Sequence, residues 1–300
     1  MSHILVTRAS PITTIQDEGR PGLLSHGIGA SGPMDRRAYA GAAVMAGCTC
    51  GAAIEIGPQG MDFIYSGAPM RAGLAGGEFR LTLDGQQGPW PAQIDLTDGM
   101  AVSIGTGTRG NYAYLRFGAQ IDVAPVLGSR ATNATVGLGG LEGRGLRGGD
   151  RIGLLPLADV VSEAPGWSNG AENDAIRFIW GIHADQFSPE VRAEFIEAGF
   201  RILPRMDRMG VWLDDGNGVF AETRSLGLVS DAVVAGDIQI LGNGSPIVLM
   251  RDHQPTGGYP RIGTVIDVDL DRFAQMRPGK SVRFTPVSVE HAHRLAGWRP

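Results

Sequence analysis

Lysine and cysteine are nearly missing from this 300-residue chain. Of its 26 Lys and Arg residues only Lys280 is a lysine. Schiff-base or lysine-nucleophile chemistry could therefore rest on that one position, whereas planar recognition of carboxylate or phosphate has many arginine candidates. The two cysteines, Cys48 and Cys50, lie two apart. That spacing suits neither a four-ligand zinc site nor a disulfide framework, and both read as small buried residues. No run approaches the ~18 uncharged apolar residues of a membrane span, and the opening MSHILVTRAS lacks the basic segment and apolar core of a secretory signal. A cytoplasmic chain making no membrane contact is expected. The net charge of −5, with no basic stripe, argues against nucleic acid as a partner.

Glycine is abundant at 46 residues, and the 43% hydrophobic fraction can fill one large or two medium cores. Short β-rich runs recur between Gly, Asp and Asn turns: ILVTR, AAIEIG, DFIYSG, FRLTLDG, MAVSIG and NYAYLRFG. This is the punctuation of an antiparallel, barrel-like domain. One helix is expected in this half, with Pro33 at its start, DRRAYAGAAVMAG as its body and Gly47 near its end. Periodicity is lost over 156–174, PLADVVSEAPGWSNGAEND, which places a boundary between a first domain at 1–160 and a second at 174–290. The second begins with strand AIRFIWG and helix SPEVRAEFIEAG, where Ser188 can cap, Pro189 can occupy the first turn and Gly199 can end the last. Strands follow at FRILP, GVWLDD, DIQIL, PIVLM, RIGTVIDVDL and VRFTPVS. The two halves echo each other weakly: LRGGDRIGL closes the first and MRPGKSVRF the second, each a Gly turn followed by an alternating strand.

Two motifs invite a nucleotide reading and fail on context. GIGASG, 27–32, satisfies the dinucleotide pattern and is followed by Glu55, but no buried strand precedes it and consecutive strands follow it. AQMRPGKS, 274–281, resembles a phosphate loop, yet DLDRFAQM before it reads as helix and SVRFTPV after it as strand, the reverse of the order that aims helix amides at phosphate. His291 and His293 with Glu290 form only a lone HxH, so no metal is expected, and no Gly-x-Ser-x-Gly or HExxH is present.

Three constellations have chemistry to offer. Gln16, Asp17 and Arg20 in TIQDEGRPG, with Asp35 in SGPMDR, sit in Gly- and Pro-rich loops; they form either a site or a loop-stitching Asp–Arg pair. Arg208 in RMDRMGVWL, beside Asp207, could grip a carboxylate bidentately, or belong to an exposed turn. The run VSDAVVAGDIQIL puts Gln239 on the face opposite Ile238, toward solvent or a cavity. It leads into RDHQPTGGYPRIG, where Gly257 and Gly258 let backbone amides approach a ligand.

Taken together, IQDEGRPG, SGPMDR, AAIEIGP, VAPVLGSRATN, DRMGVWL, GDIQI and DHQPTGGYPRIGTVI resemble the biotin-dependent carboxyltransferase subunits, a family that includes allophanate hydrolase subunit 2, the KipA proteins and the prokaryotic 5-oxoprolinase C subunit. The resemblance runs from about residue 4 to residue 289. It implies a mainly β fold of two cyclophilin-like β-barrel domains with a few short helices. It also implies a KipI-like partner and, for the oxoprolinase, a LamB/YcsF-like third component, the complex opening 5-oxoproline to glutamate with ATP. By motif position it marks Gln16, Asp17, Arg20, Asp35, Gln239, Gln254, Thr256, Gly257, Gly258 and Tyr259 for substrate binding, and Arg208 and Asp252 for catalysis. Both activities develop negative charge on an amide or carboxyl oxygen. The Gly257–Gly258 amides and Arg208 would stabilise that charge, and Asp252 would orient the attacking group or accept its proton. The family's usual DRQTTGGYP reads DHQPTGGYP here, with His253 and Pro255 replacing a permanent charge and a backbone donor. The expected activity is that of an oxoprolinase C subunit. The alternatives are a carboxyltransferase component of a urea or amide carboxylase, with biotin arriving on a separate carrier protein, and a KipA-type regulatory module.

Overall fold

A computed structural model describes residues 1–48, 51–157, 175–221 and 228–297. Cys50 and the expected linker from residue 158 on lie outside them. The chain divides into two units, one of Met1–Gly22 with Ala30–Asn169 and one of Leu23–Gly29 with Gly170–Pro300.

The first unit runs β1 (Ser2–Ala9), β2 (Thr14–Gln16), α1 (Arg36–Ala46), β3 (Ala53–Ile56), β4 (Met61–Ser66), β5 (Met70–Leu83), β6 (Gln86–Gly88), β7 (Ala92–Leu96), β8 (Ala101–Phe117), β9 (Ala119–Ile121) and β10 (Arg151–Pro156). They form one ten-stranded sheet in the order β2-β3-β8-β4-β1-β10-β9, with β5 pairing β6, β7 and β8. Alternation sets the inward face. Met61, Phe63 and Tyr65 of β4 and Ala92, Ile94 and Leu96 of β7 are buried, with Ile64, Gln93 and Asp95 facing out.

Helix α1 starts later than Pro33 suggests, because the Asp35 carboxylate accepts from the Ala38 amide and caps it. Gly47 ends it in the left-handed region at φ 70°. The helix lies against β5 at Gly73, where a Cβ would come within 2.2 Å of the Ala42 carbonyl. MAVSIG and NYAYLRFG, expected as two strands, are the single 17-residue β8. Glycine permits this close pairing: a Cβ at Gly107 would overlap the Glu78 carbonyl of β5, and the β5–β8 register shifts around Glu78.

The second unit contains β11 (Ala175–Trp180), α2 (Pro189–Glu197), β12 (Phe200–Met206), β13 (Gly210–Asp214), β14 (Asp231–Ala232), β15 (Asp237–Ile240), β16 (Pro246–Leu249), β17 (Thr256–Gly257), β18 (Arg261–Val265), α3 (Asp267–Ala274), β19 (Ser281–Pro286) and α4 (Val289–Leu295). Seven strands close a barrel in the order β11-β18-β15-β16-β13-β12-β19, and β14 pairs β17 in a separate ribbon. The mainly β, barrel-based expectation holds, with a closed barrel here and a half-barrel sheet in the first unit. Ser188 caps α2 and Pro189 opens it, but the helix ends at Ala198 in extended backbone, not at Gly199. RIGTVIDVDL is not one strand: it turns helical at Asp267, where Asp267 and Asp269 favour a helix N-terminus.

The sequence echo is a structural one. Gly149 (φ 95°) donates to the Val6 carbonyl while Val6 donates to Asp150; Gly279 (φ 87°) donates to Ile202 while Ile202 donates to Lys280. The same Gly turn thus hands each closing strand to its neighbour. Among the described residues no helix is long and apolar enough to cross a membrane.

Phe195 of α2 fills the barrel core, stacked on Phe284 at 5.3 Å and flanked by Phe178, Phe200 and Phe220. Phe195→Ala is expected to cost about 3–5 kcal/mol, read as a lower urea midpoint, with Phe195→Leu losing less. In the first unit Arg144 donates twice to Asp150, at 2.8 and 2.9 Å, and holds its carboxyl below the usual range against the opposing effect of burial. A depressed carboxyl stabilises fully above its unfolded value and loses that contribution as pH falls through the folded one. Asp150→Asn is therefore expected to lower stability by about 1–2 kcal/mol at pH 7, and the gap to close below about pH 4; urea midpoints at pH 7 and pH 3 measure it.

Candidate functional site

Each unit holds one group of the expected residues. In the first, the TIQDEGRPG segment is fastened to the 126–133 loop, so two of the resembling motifs meet. Gln16 on β2 donates to Thr14 Oγ1 (3.0 Å) and the Thr132 carbonyl (2.9 Å), and its Oε1 accepts from the Gly32 amide at 3.1 Å. Asp17 accepts from the Gly19 amide, Ser129 Oγ and the Arg130 amide. Arg20, 2% exposed, donates to the carbonyls of Val126 and Ala131. Asp17 and Arg20 thus each reach into the 126–131 loop, and the stitch they make is between segments.

Asp35 belongs to a buried chain that sequence reading missed. Its amide donates to the Tyr114 hydroxyl (2.8 Å), which donates to Glu55 Oε2 (2.7 Å), and Glu55 also takes the Met34 amide at 2.8 Å. Burial raises the Tyr114 hydroxyl pKa well above its ordinary value, and the Glu55 and Asp35 carboxylates push it further. The signal for Glu55 is present in AAIEIGP, where one carboxylate interrupts an apolar strand. No strand leads directly into GIGASG: a single 3-10 turn, Leu24–His26, stands before it, and the sheet containing Glu55 is antiparallel.

In the second unit Arg208 sits on the turn between β12 and β13, where Asp207 Oδ1 accepts the amides of Met209 and Gly210. Its guanidinium donates to both oxygens of Asp252, Nε at 2.8 Å and Nη2 at 3.0 Å, and the Asp252 amide donates back to the Arg208 carbonyl at 2.7 Å. Both residues are buried. The two expected catalytic residues are therefore each other's partner, and together they root the 251–260 loop. His253 is buried with Nδ1 2.7 Å from the Gln254 carbonyl. Arg251 pairs with Asp271 at 2.9 Å.

Beyond that root, Thr256 and Gly257 form β17 against β14, and the Leu228 amide donates to the Gly258 carbonyl. Gln239 is 1% exposed on β15, buried rather than facing solvent. Its Oε1 lies 3.5 Å from Gln254 Nε2, and its Nε2 has no hydrogen-bond partner among the described residues. That nitrogen lies 2.5 Å from where a Gly257 Cβ would stand, so glycine is what lets the amide lie against the loop. Tyr259 is partly exposed at 42%.

Sequence reading also missed Arg261. It binds Asp231 (2.7 Å), Asp237 (3.4 Å) and the Ala232 carbonyl (2.6 Å), clamping β14 to the barrel. Its amide donates to His183 Nδ1 at 3.3 Å, and burial, then the Arg261 charge, lowers the His183 pKa. Among the described residues no group of three or more His, Cys, Asp or Glu is arranged to hold a metal.

A half-barrel sheet and a closed barrel, carrying these loop motifs in order, define a carboxyltransferase architecture. The chain belongs to that family: the model of its carboxyltransferase domain, subdomains A and B, matches residues 26–286. The chain is 33% identical over 290 residues to the C subunit of 5-oxoprolinase from Escherichia coli (strain K12), covering 96% of this chain and 92% of that one. The corresponding 5-oxoprolinase chain of Haemophilus influenzae is 31% identical over 300 residues, covering 94% and 90%. Among solved structures, urea amidolyase of K. lactis matches with a TM-score of 0.89 and 26% identity over 98% of this chain, which spans 19% of that protein.

The Arg208–Asp252 pair permits a direct test of its structural part. Asp252→Asn takes the Asp252 counter-charge away from a buried guanidinium and is expected to cost about 3–5 kcal/mol, whereas the double variant Arg208→Met with Asp252→Leu should lose far less. Urea unfolding of the singles and the double closes the cycle.

Proposed function

We propose that the chain acts as the C subunit of an ATP-dependent 5-oxoprolinase, opening the lactam of 5-oxoproline to glutamate in complex with a KipI-like partner and a LamB/YcsF-like partner. The observation that carries this reading is the near end-to-end match to a 5-oxoprolinase chain of the same kind, 96% of this chain against 92% of the relative. The same relatives support a place for the chain as one component of a multi-subunit hydrolase system.

Lactam opening places negative charge on the amide oxygen, and stabilising it asks for fixed donors that need no reorganisation. In the proposed mechanism the Gly257–Gly258 segment, held against β14, supplies backbone donors. The Arg208–Asp252 pair fixes where that loop begins, so the pair is proposed to act as one unit. Gln254 lies in the loop and Gln239 packs against it, their side-chain amides 3.5 Å apart. Thr256 and Tyr259 are the exposed members of the motif, able to reach a ligand without rearrangement.

ATP is proposed to be bound elsewhere in the complex. AQMRPGKS lies after helix α3 and before strand β19, so its amides do not sit at a helix N-terminus and do not fit a phosphate loop. Lys280, exposed in the turn before β19, lacks the surroundings of a biotin carrier. The second reading, a carboxyltransferase working with biotin on a separate protein, is favoured by the urea amidolyase match at TM-score 0.89.

Reconstitution separates the two. Co-purified with the KipI-like partner and supplemented with the LamB/YcsF-like one, the chain is expected to support 5-oxoproline-dependent ATP hydrolysis. Turnover of carboxybiotin without any response to 5-oxoproline would replace the first reading by the second. The Arg208→Met, Asp252→Leu double variant, if folded, is expected to lose at least about 100-fold in kcat. Wild-type turnover by that folded variant removes both residues from the site under either activity.

A further inference from the structure

The Gly257–Gly258 segment owes its place to a very small ribbon. Strands β14 (Asp231–Ala232) and β17 (Thr256–Gly257) are two residues each and form a sheet of their own, apart from the barrel. A two-stranded ribbon is marginal in water even at full hairpin length, so this one must be held from outside. On the β17 side the loop is rooted where Asp252 meets Arg208. On the β14 side the holding group is Arg261.

Arg261 stands buried on barrel strand β18. Its Nη1 donates to the Ala232 carbonyl at 2.6 Å and its Nη2 to the Asp231 carboxylate at 2.7 Å, so one guanidinium grips both residues of β14. Nη1 also reaches Asp237 on barrel strand β15 at 3.4 Å. The Asp237 carboxylate is itself fixed, accepting from Thr264 Oγ1 at 2.7 Å and from the Val234 amide, just beyond β14, at 3.0 Å. The Arg261 backbone is held as well, by its pairing with Gln239 and by its amide bond to His183 Nδ1. A planar fork anchored at its base and spanning two sheets transmits position, which a single ammonium in its place could not do for three acceptors at once. Strand β14 passes that position on to the loop motif. Asp231 lies opposite Gly257 and Ala232 opposite Thr256, the Val233 amide donates to the Pro255 carbonyl at 3.1 Å, and the Leu228 amide donates to that of Gly258 at 3.0 Å.

We propose that Arg261 is a positioning residue for the reaction, setting through β14 where the Gly257–Gly258 donors stand against the developing charge. Its part in turnover rests on the function proposed above; its hold on β14 does not. Fixed donors act because they are preset, and a misplacement of about 1 Å can cost about 100-fold in rate. Loosening β14 therefore lowers kcat while KM moves less.

Two variants of the full chain test this. Arg261→Lys keeps a positive charge beside Asp237 and gives up the fork. Asp231→Ala removes an acceptor whose side chain is 54% exposed, leaving the bonds of the barrel in place. Without ligand, amide hydrogen exchange resolved by residue is expected to quicken at least about tenfold at 231–233 and 256–258 in Arg261→Lys, and by a smaller factor in Asp231→Ala, with β15 unchanged and the urea midpoint near wild type. Unchanged exchange at 231–233 in both variants overturns the clamp. Faster exchange that extends through β15 in both makes Arg261 a residue of barrel stability and overturns the positioning role. In the reconstituted complex Arg261→Lys is expected to lower kcat with 5-oxoproline about tenfold or more, and the double variant no further, because both changes act through one clamp. Wild-type kcat in Arg261→Lys, with 231–233 and 256–258 exchanging faster, overturns the proposal alone. If the wild-type complex ignores 5-oxoproline but turns over carboxybiotin, the oxoprolinase reading fails, the exchange result stands, and the same kcat comparison with carboxybiotin decides Arg261.

Discussion

A carboxylate taken out of water must be met by donors on every side, at a desolvation cost of several kcal/mol per ion when it is not. That requirement fastens several loops of this chain to one another. Asp17 collects the Gly19 amide, Ser129 and the Arg130 amide; Glu55 collects Met34 and Tyr114; Asp252 collects Arg208 twice. Each of these carboxylates takes at least one of its donors from a distant segment of the chain. Loops far apart in sequence are thereby drawn to fixed positions on sheets whose own hydrogen bonds close without them.

The arrangement changes what the motifs mean. A motif residue in a loop is usually taken to touch ligand, because loops carry function. Here most motif residues are spent on the loop itself: Gln16, Asp17, Arg208 and Asp252 form the frame. Outside that frame stand the buried amide of Gln239 and the exposed Thr256 and Tyr259. The DHQPTGGYP departures fit the same pattern. His253 is buried and turned onto the Gln254 carbonyl, and Pro255 gives its carbonyl to the Val233 amide. Both substitutions fall within the frame.

Much of the fold was legible in the sequence, and the errors have causes. Strands β1 and β4 alternate with water on one side, so period two reveals them. Strand β15 is buried along its whole length, and there alternation cannot say whether Gln239 faces solvent or interior. Strand β8 was divided in two because its glycines read as turns, although they serve the close crossing with β5. Pro33 suggests a helix start, but Asp35, two residues on, supplies the cap oxygen.

Composition and local pattern alone determined that the chain is mainly β, that its glycine turns repeat at the two closing strands, that neither GIGASG nor AQMRPGKS sits in a nucleotide-binding context, and which segments carry chemistry-bearing residues. These properties depend on neighbours within a few positions, where propensity and period act. Tertiary structure alone decided which of those residues are partners. The Arg208–Asp252 bond spans 44 positions, Asp17 to Arg130 spans 113, and Glu55 to Tyr114 spans 59. A side chain's role is set by what meets it, and over such separations the meeting is made by strand order and register, which the local sequence does not encode.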